Sequence, residues 1–239
     1  MRWRSFPNLI ALAIMLPVLS LRHIGTGSAY RFRMTVEVDT PSGPRTGTSV
    51  YEVRAFYRLG INPSGKNHVR DVRGEALMVD LPNGATLFAL LKTGNVRADL
   101  PGMSMLALDP AFQSDIVESA RRIARRKNVL DSAEIAPAEY PIMAIFGDTA
   151  DPSSIRRVLP ADFSTAFGPG HAVKSVAIHL TRDRVTKDIG TRLPWLNNFQ
   201  KIRRKLRFRA EGIPPRRFQT TLFNGDSMIA TMLRYRTTR

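Results

Sequence analysis

Strict period-two alternation of apolar and polar side chains is the feature that most constrains this chain. Over residues 30–39, Tyr30, Phe32, Met34, Val36 and Val38 fall on one face, and Arg31, Arg33, Thr35, Glu37 and Asp39 fall on the other. Successive side chains of a strand point to opposite faces, so the pattern specifies a strand with one buried and one wet side. Residues 50–58 repeat it with Tyr51, Val53, Ala55 and Tyr57, and Pro41-Ser42-Gly43-Pro44 supplies a turn between the two runs. The pair predicts an antiparallel hairpin with a longer loop. Residues 75–81 and 85–91 flank Asn83-Gly84, a dipeptide suited to a type I′ turn because both central residues need positive φ. Asn224-Gly225, between residues 218–223 and 227–233, predicts another hairpin. Pro141–Phe146 reads as a short apolar strand. Residues 173–181 read as a further strand, with Val176, Ile178 and Leu180 on one face.

Helical signals are fewer. Asp109 is a suitable N-cap and Pro110 suits a first helical position. Phe112, Ile116, Ala120 and Ile123 then recur at spacings of four and three and mark one apolar stripe. A short helix is predicted over residues 160–167, ended by Gly168-Pro169-Gly170. Strands and helices do not alternate, so the expected class is α+β, a largely antiparallel sheet built from hairpins with one main helix.

The chain begins with a different pattern. Arg2 and Arg4 precede residues 9–21, which are apolar except for Pro17 and Ser20. A positive start followed by such a run is the form of an export signal. Gly27-Ser28-Ala29 offers the small residues of a cleavage site. Residues 1–29 are therefore expected to be a signal peptide or a signal anchor helix in the membrane. Residues 30–196 are expected to form an α+β globular domain, and residues 197–239 a basic extension. The predicted location is the bacterial inner membrane facing the periplasm, or the periplasm itself.

Charge is unevenly spread. The chain holds 36 Lys+Arg against 20 Asp+Glu, a formal +16. Residues 30–196 carry 22 basic and 18 acidic residues, whereas residues 197–239 carry 11 basic and two acidic ones. The densest run places Lys201, Arg203, Arg204, Lys205, Arg207 and Arg209 together as a candidate anion-binding face. An anionic lipid surface or envelope polymer is the partner such a run implies. No recognised nucleic-acid-binding motif accompanies it, so nucleic acid is not expected. A second cluster, Arg121, Arg122, Arg125, Arg126 and Lys127, lies on the predicted helix away from its apolar stripe and reads as a solvated face.

Cysteine is absent. That excludes disulfides, thiolate metal sites, iron–sulfur clusters, cysteine nucleophiles and lipid attachment through cysteine. Residues 60–67 nearly spell a phosphate-binding loop. Asn67 stands where Ser or Thr is needed for magnesium, and the residues after it look extended rather than helical. His23, His68, His171 and His179 show no metal-ligand spacing. The loop 148–154 carries Asp148 and Asp151 among hydroxyls, without calcium-loop spacing, and reads as a turn capped by Asp151 or Ser153. No cofactor is expected. A hydrolase with a cryptic site at Asp148, Asp151 and His171 is the catalytic alternative to a binding or assembly role. Trp195 reads as a core anchor.

Asp148 to Asp151-Pro152, Pro160-Ala161-Asp162-Phe163, Phe167-Gly168-Pro169-Gly170, Thr186 and Leu193-Pro194-Trp195-Leu196 together resemble uncharacterised bacterial envelope proteins with a single N-terminal apolar segment. The resemblance implies a location and brings no catalytic residues with it.

Overall fold

The computed structural model describes residues 27–58, 67–93, 99–126 and 132–198. The apolar segment up to residue 26, residues 60–66 of the near-phosphate loop, the basic run 201–209 and the hairpin expected at Asn224-Gly225 lie outside the described residues. Within them the strands are β1 (Ser28–Asp39), β2 (Arg45–Arg58), β3 (Asn67–Arg73), β4 (Leu77–Asp80), β5 (Thr86–Thr93), β6 (Ser132–Glu134), β7 (Pro141–Phe146), β8 (Ile155–Val158) and β9 (Ala172–Leu180). The helices are α1 (Leu100–Leu108), α2 (Ile116–Ala124), α3 (Phe163–Phe167) and α4 (Ile189–Arg192). The strands form a five-stranded sheet in the order β3-β2-β1-β9-β6 and a four-stranded sheet in the order β4-β5-β7-β8. Every pairing is antiparallel. The fold is α+β, as expected. Among the described residues no helix is long and apolar enough to cross a membrane.

The alternation of β1 decides the layout. Phe32, Met34, Val36 and Val38 are fully buried, and the residues between them are half-exposed. β1 pairs with β2 on one edge, Tyr30 opposite Val53 and Phe32 opposite Tyr51, and with β9 on the other, Met34 opposite Ile178. The inward side chains of three neighbouring strands therefore lie level with one another, and Phe32 stacks on Tyr51 with ring centroids 5.2 Å apart. Strand pairing takes in Ser28 and Ala29, so the sheet begins at the expected cleavage region itself.

The four-stranded sheet closes this core from the other side. Leu77, Val79, Leu87, Ala89, Met143, Ile145 and Val158 share the main core with β1, β2 and β9. The alternate residues Phe88, Leu90, Ala144 and Ile155 point to the opposite face and build a second cluster with Ile189, Leu193 and Trp195. This sheet is thus apolar on both faces, which explains the unbroken run Leu87-Phe88-Ala89-Leu90-Leu91 in its inner strand.

The β4–β5 hairpin forms, with Leu77 opposite Ala89 and Val79 opposite Leu87. Its turn is not the two-residue type I′ form. Leu81 and Ala85 still pair, through Leu81 N–H donating to Ala85 O at 2.9 Å, so the loop is the three residues Pro82-Asn83-Gly84. Gly84 N–H closes the turn on Leu81 O, and Gly84 lies at φ 82°. Proline fixes φ near −65° and pre-sets the first central position of an ordinary turn, which a glycine at positive φ then completes.

The helices also depart from expectation. Asp109 does not start a helix; it ends α1, and its backbone N–H donates to Met105 O. The stripe Ile116, Ala120 and Ile123 is buried as predicted, but on the shorter α2, whose N-cap is Asp115. The extra helix α1 gave no periodic signal because seven of its nine residues are buried. Its cap is Asp99, which accepts from Gly102 N–H at 2.9 Å and also takes Arg70 of β3 at 3.0 Å. Asp115 has the same double role: Oδ1 accepts from Val117 and Glu118 N–H, and Oδ2 accepts from Tyr57 OH of β2 at 2.7 Å. Each main helix is therefore tied to the five-stranded sheet through the residue that caps it.

Two glycines distinguish packing from backbone freedom. A Cβ at Gly47 would sit 2.0 Å from Met78 O, because β2 crosses β4 backbone-to-backbone there. A Cβ at Gly43 would meet nothing, but φ is +99°. Gly47→Ala is expected to destabilise by about 3 kcal/mol or more, since backbone rather than a flexible side chain must move. Gly43→Ala is expected to cost about 1–2 kcal/mol, the strain of a left-handed backbone alone. Urea unfolding of both variants checks the order.

Candidate functional site

The outer face of the five-stranded sheet carries the densest described set of charges. The hairpin register places Glu52 opposite Arg31 on β1 and Arg73 on β3, with Arg54 two residues along the same face. Arg31 Nε donates to Oε2 at 2.9 Å, Arg54 Nε donates to Oε1 at 2.7 Å, and Arg73 Nη1 stands 3.9 Å from Oε1. Burial pushes the Glu52 carboxyl up, but the hydrogen bonds from Arg31 and Arg54 outweigh it and hold the group below the usual carboxylate range. Further along, Lys174 sits at a bulge in β9 and donates to Glu37 at 2.9 Å. Arg33 pairs with Asp183.

Residues 181–188 run from the end of β9 over this face as a strap. Thr181 N–H donates to Arg31 O, and Arg31 Nη1 donates to Asp183 O. At Thr186 the strap bonds β2 in both directions: Thr186 N–H donates to Val50 O at 3.2 Å, and Val50 N–H donates to Thr186 Oγ1 at 2.9 Å. Buried Glu75 then accepts from Ile189 N–H at 2.8 Å, and α4 begins. The chain continues through Leu193 and Trp195 over the second face of the four-stranded sheet. Trp195 is buried at 6% exposure, as expected of a core anchor, and its Nε1 donates to Thr149 O.

That last bond fixes the acidic loop. Asp148 Oδ1 accepts from Ala150 N–H, and Ser154 Oγ donates to Asp148 O and Asp151 O. The loop is a self-bonded turn, as expected, and Asp148 and Ser154 take part in its bonding. His171 stands elsewhere, buried beside Phe167, with Nδ1 donating to Gly168 O at 3.0 Å and no partner for Nε2 among the described residues. The loop of Asp148 and Asp151 is bonded to Trp195 at the start of β8, whereas His171 lies by the α3 turn beyond the end of that strand, so the structure does not bring the three into one site. His179 lies on the outward face of β9, opposite Arg33. Among the described residues no group of three His, Asp or Glu is placed to hold a metal ion. On α2, Arg121 pairs with Glu118 and Arg122 with buried Asp109, which accounts for two members of that basic cluster. The anion-binding candidates Lys201, Arg203, Arg204, Lys205, Arg207 and Arg209 lie outside the described residues.

Sequence patterning missed two adjoining concavities at β8. A cleft of about 430 Å³ is lined by Arg156, Arg157, Val158, Leu159, Asp162 and Thr165. A second of about 220 Å³ lies between Tyr140, Ile142, Met143, Arg157, Leu159 and Pro160. The signal for it was Arg156-Arg157 between two apolar residues, which breaks the alternation of an ordinary strand. Compared with protein-family models, with curated proteins and with solved structures, the chain matches none.

Two measurements test these contacts. Thr186→Val keeps the shape but leaves the Val50 N–H without its acceptor, and should cost about 1–3 kcal/mol, with Thr186→Ser close to wild type. Glu52 has a folded-state value below its ordinary 4.5. Its pairing therefore stabilises fully above that value and is lost as pH falls through the lower folded one. Unfolding midpoints followed downward from neutral pH should fall less steeply in Glu52→Gln than in wild type.

Proposed function

We propose that this chain is an exported or membrane-anchored protein of the bacterial cell envelope, whose body serves binding or assembly rather than catalysis. The observation that carries the reading is the apolar run 9–21 behind Arg2 and Arg4, immediately ahead of a folded body. The first strand starts at Ser28, so an anchored form would hold the sheet close to the bilayer. The polar groups best placed for chemistry are engaged in structure: Glu52 by arginines, Asp99 and Asp115 by helix ends, Asp148 by its own loop.

A reporter enzyme active only outside the cytoplasm, fused after Arg239 of the full chain, should be active. Ile14→Arg with Leu16→Arg should abolish that activity, because each charge at the centre of an apolar segment costs about 2.5–3.5 kcal/mol on insertion. Reporter activity confined to the cytoplasm would refute export.

A second reading is favoured by charge. Most of the positive excess lies in residues 197–239 rather than in the body. In this reading Lys201, Arg203, Arg204, Lys205, Arg207 and Arg209 hold an anionic lipid surface or envelope polymer. Replacing Arg203, Arg204 and Lys205 by Gln should lower retention on vesicles rich in anionic lipid, and added salt should weaken the wild type steeply. Unchanged retention counts against it.

A further inference from the structure

β8 is the outer strand of the four-stranded sheet, paired with β7 on one side only. Among the described residues no strand pairs with its other side, and such an edge is a template for another strand. The larger cleft lies between β8 and Asp162, Thr165 and Ala166, the smaller lies over the end of the β7–β8 pair, and Arg157 and Leu159 line both. Arg156 and Arg157 are exposed and, unlike Arg31, Arg54, Arg70 and Arg122, have no ion-pair partner among the described residues. Leu159 is 43% exposed, an uncommon condition here for a large apolar side chain. Among the described residues this strand thus combines an unpaired edge, uncompensated positive charge and accessible apolar surface.

We propose that the β8 edge is a docking site for an extended acidic segment of a partner protein, which adds as a further strand. Backbone bonding to β8 supplies the alignment, adjacent carboxylates engage Arg156 and Arg157 on the two sides of the strand, and an apolar residue covers Leu159. Charge selects this occupant. A second copy would bring Arg156 and Arg157 against the same pair, and like charges facing across strands are unfavourable. The chain's own residues 199–239 are strongly basic and meet the same obstacle. Asp162 is the single carboxylate among the residues lining the two clefts, too little to neutralise both arginines. The inference goes beyond the envelope reading and holds in either compartment.

The test uses the full chain and a labelled synthetic peptide of about eight residues, alternating Thr and Val around a central Glu-Glu pair. Fluorescence anisotropy should show binding that weakens about tenfold or more when alternate peptide nitrogens are methylated, because this removes N–H donors and leaves charge untouched. Arg156→Glu with Arg157→Glu should lose the acidic peptide and gain its Lys-Lys counterpart. Gln at Arg203, Arg204 and Lys205 should change neither. The proposal is overturned if the methylated peptide binds equally well, if the tail substitutions abolish binding while the β8 substitutions do not, or if sedimentation shows β8-dependent dimers. Circular dichroism checks that the β8 variant folds; if it does not, the methylated peptide decides alone.

Discussion

One buried strand face organises this molecule. β1 presents Phe32, Met34, Val36 and Val38 without exposure to solvent, and it is paired along both edges. A strand has two faces and two edges, and here three of the four are taken up by protein. The remaining face must then be polar and must satisfy its own charges. Arg31, Arg33 and Glu37 do so through Glu52, Asp183 and Lys174. The partners come from β2, β9 and the strap, so the wet side of β1 fastens the same neighbours that its dry side packs with.

The second sheet poses the opposite problem, since both of its faces are apolar. One is covered by the five-stranded sheet and the other needs a cover of its own. The chain provides it by running the strap 181–188 across the outer face of the first sheet and placing α4 and Trp195 over the second. Thr186 and Glu75 mark that path. Both satisfy backbone N–H groups at points where the ladder has ended. Asp148 to Asp151 and the Leu193-to-Leu196 run meet in this cover through the bond from Trp195 Nε1 to Thr149 O.

The same division explains which charged groups are spoken for. Arg31 and Arg54 on the sheet face and Arg121 on α2 are held by carboxylates whose positions follow from strand register or helix spacing. Arg156 and Arg157 are different because β8 has one neighbour among the described residues, β7, which sets Ile145 and Ala144 opposite them and supplies no carboxylate. Availability for a partner is thus a consequence of topology and not of residue type.

Period two sufficed to place β1, β2 and β9, with their inward residues, because alternation is a local property that burial on one side writes into the chain. Stripe spacing likewise identified the buried face of α2 through Ile116, Ala120 and Ile123. Local pattern failed where burial was complete. α1 is covered on nearly all sides and so has no stripe, and Asp109 was read as a start when it is an end. It failed too where a bond spans distant residues: nothing near Thr186 in sequence points to Val50, and nothing near Asp148 points away from His171. The sequence by itself determined which strand faces must be dry, which residues turn the chain, and that cysteine chemistry is absent. Only the tertiary structure decided that the described strands form two sheets, that α4 and Trp195 cover the second, and that Arg156 and Arg157 stand on a strand with no second neighbour among the described residues, because those outcomes depend on contacts between segments that carry no local record of one another.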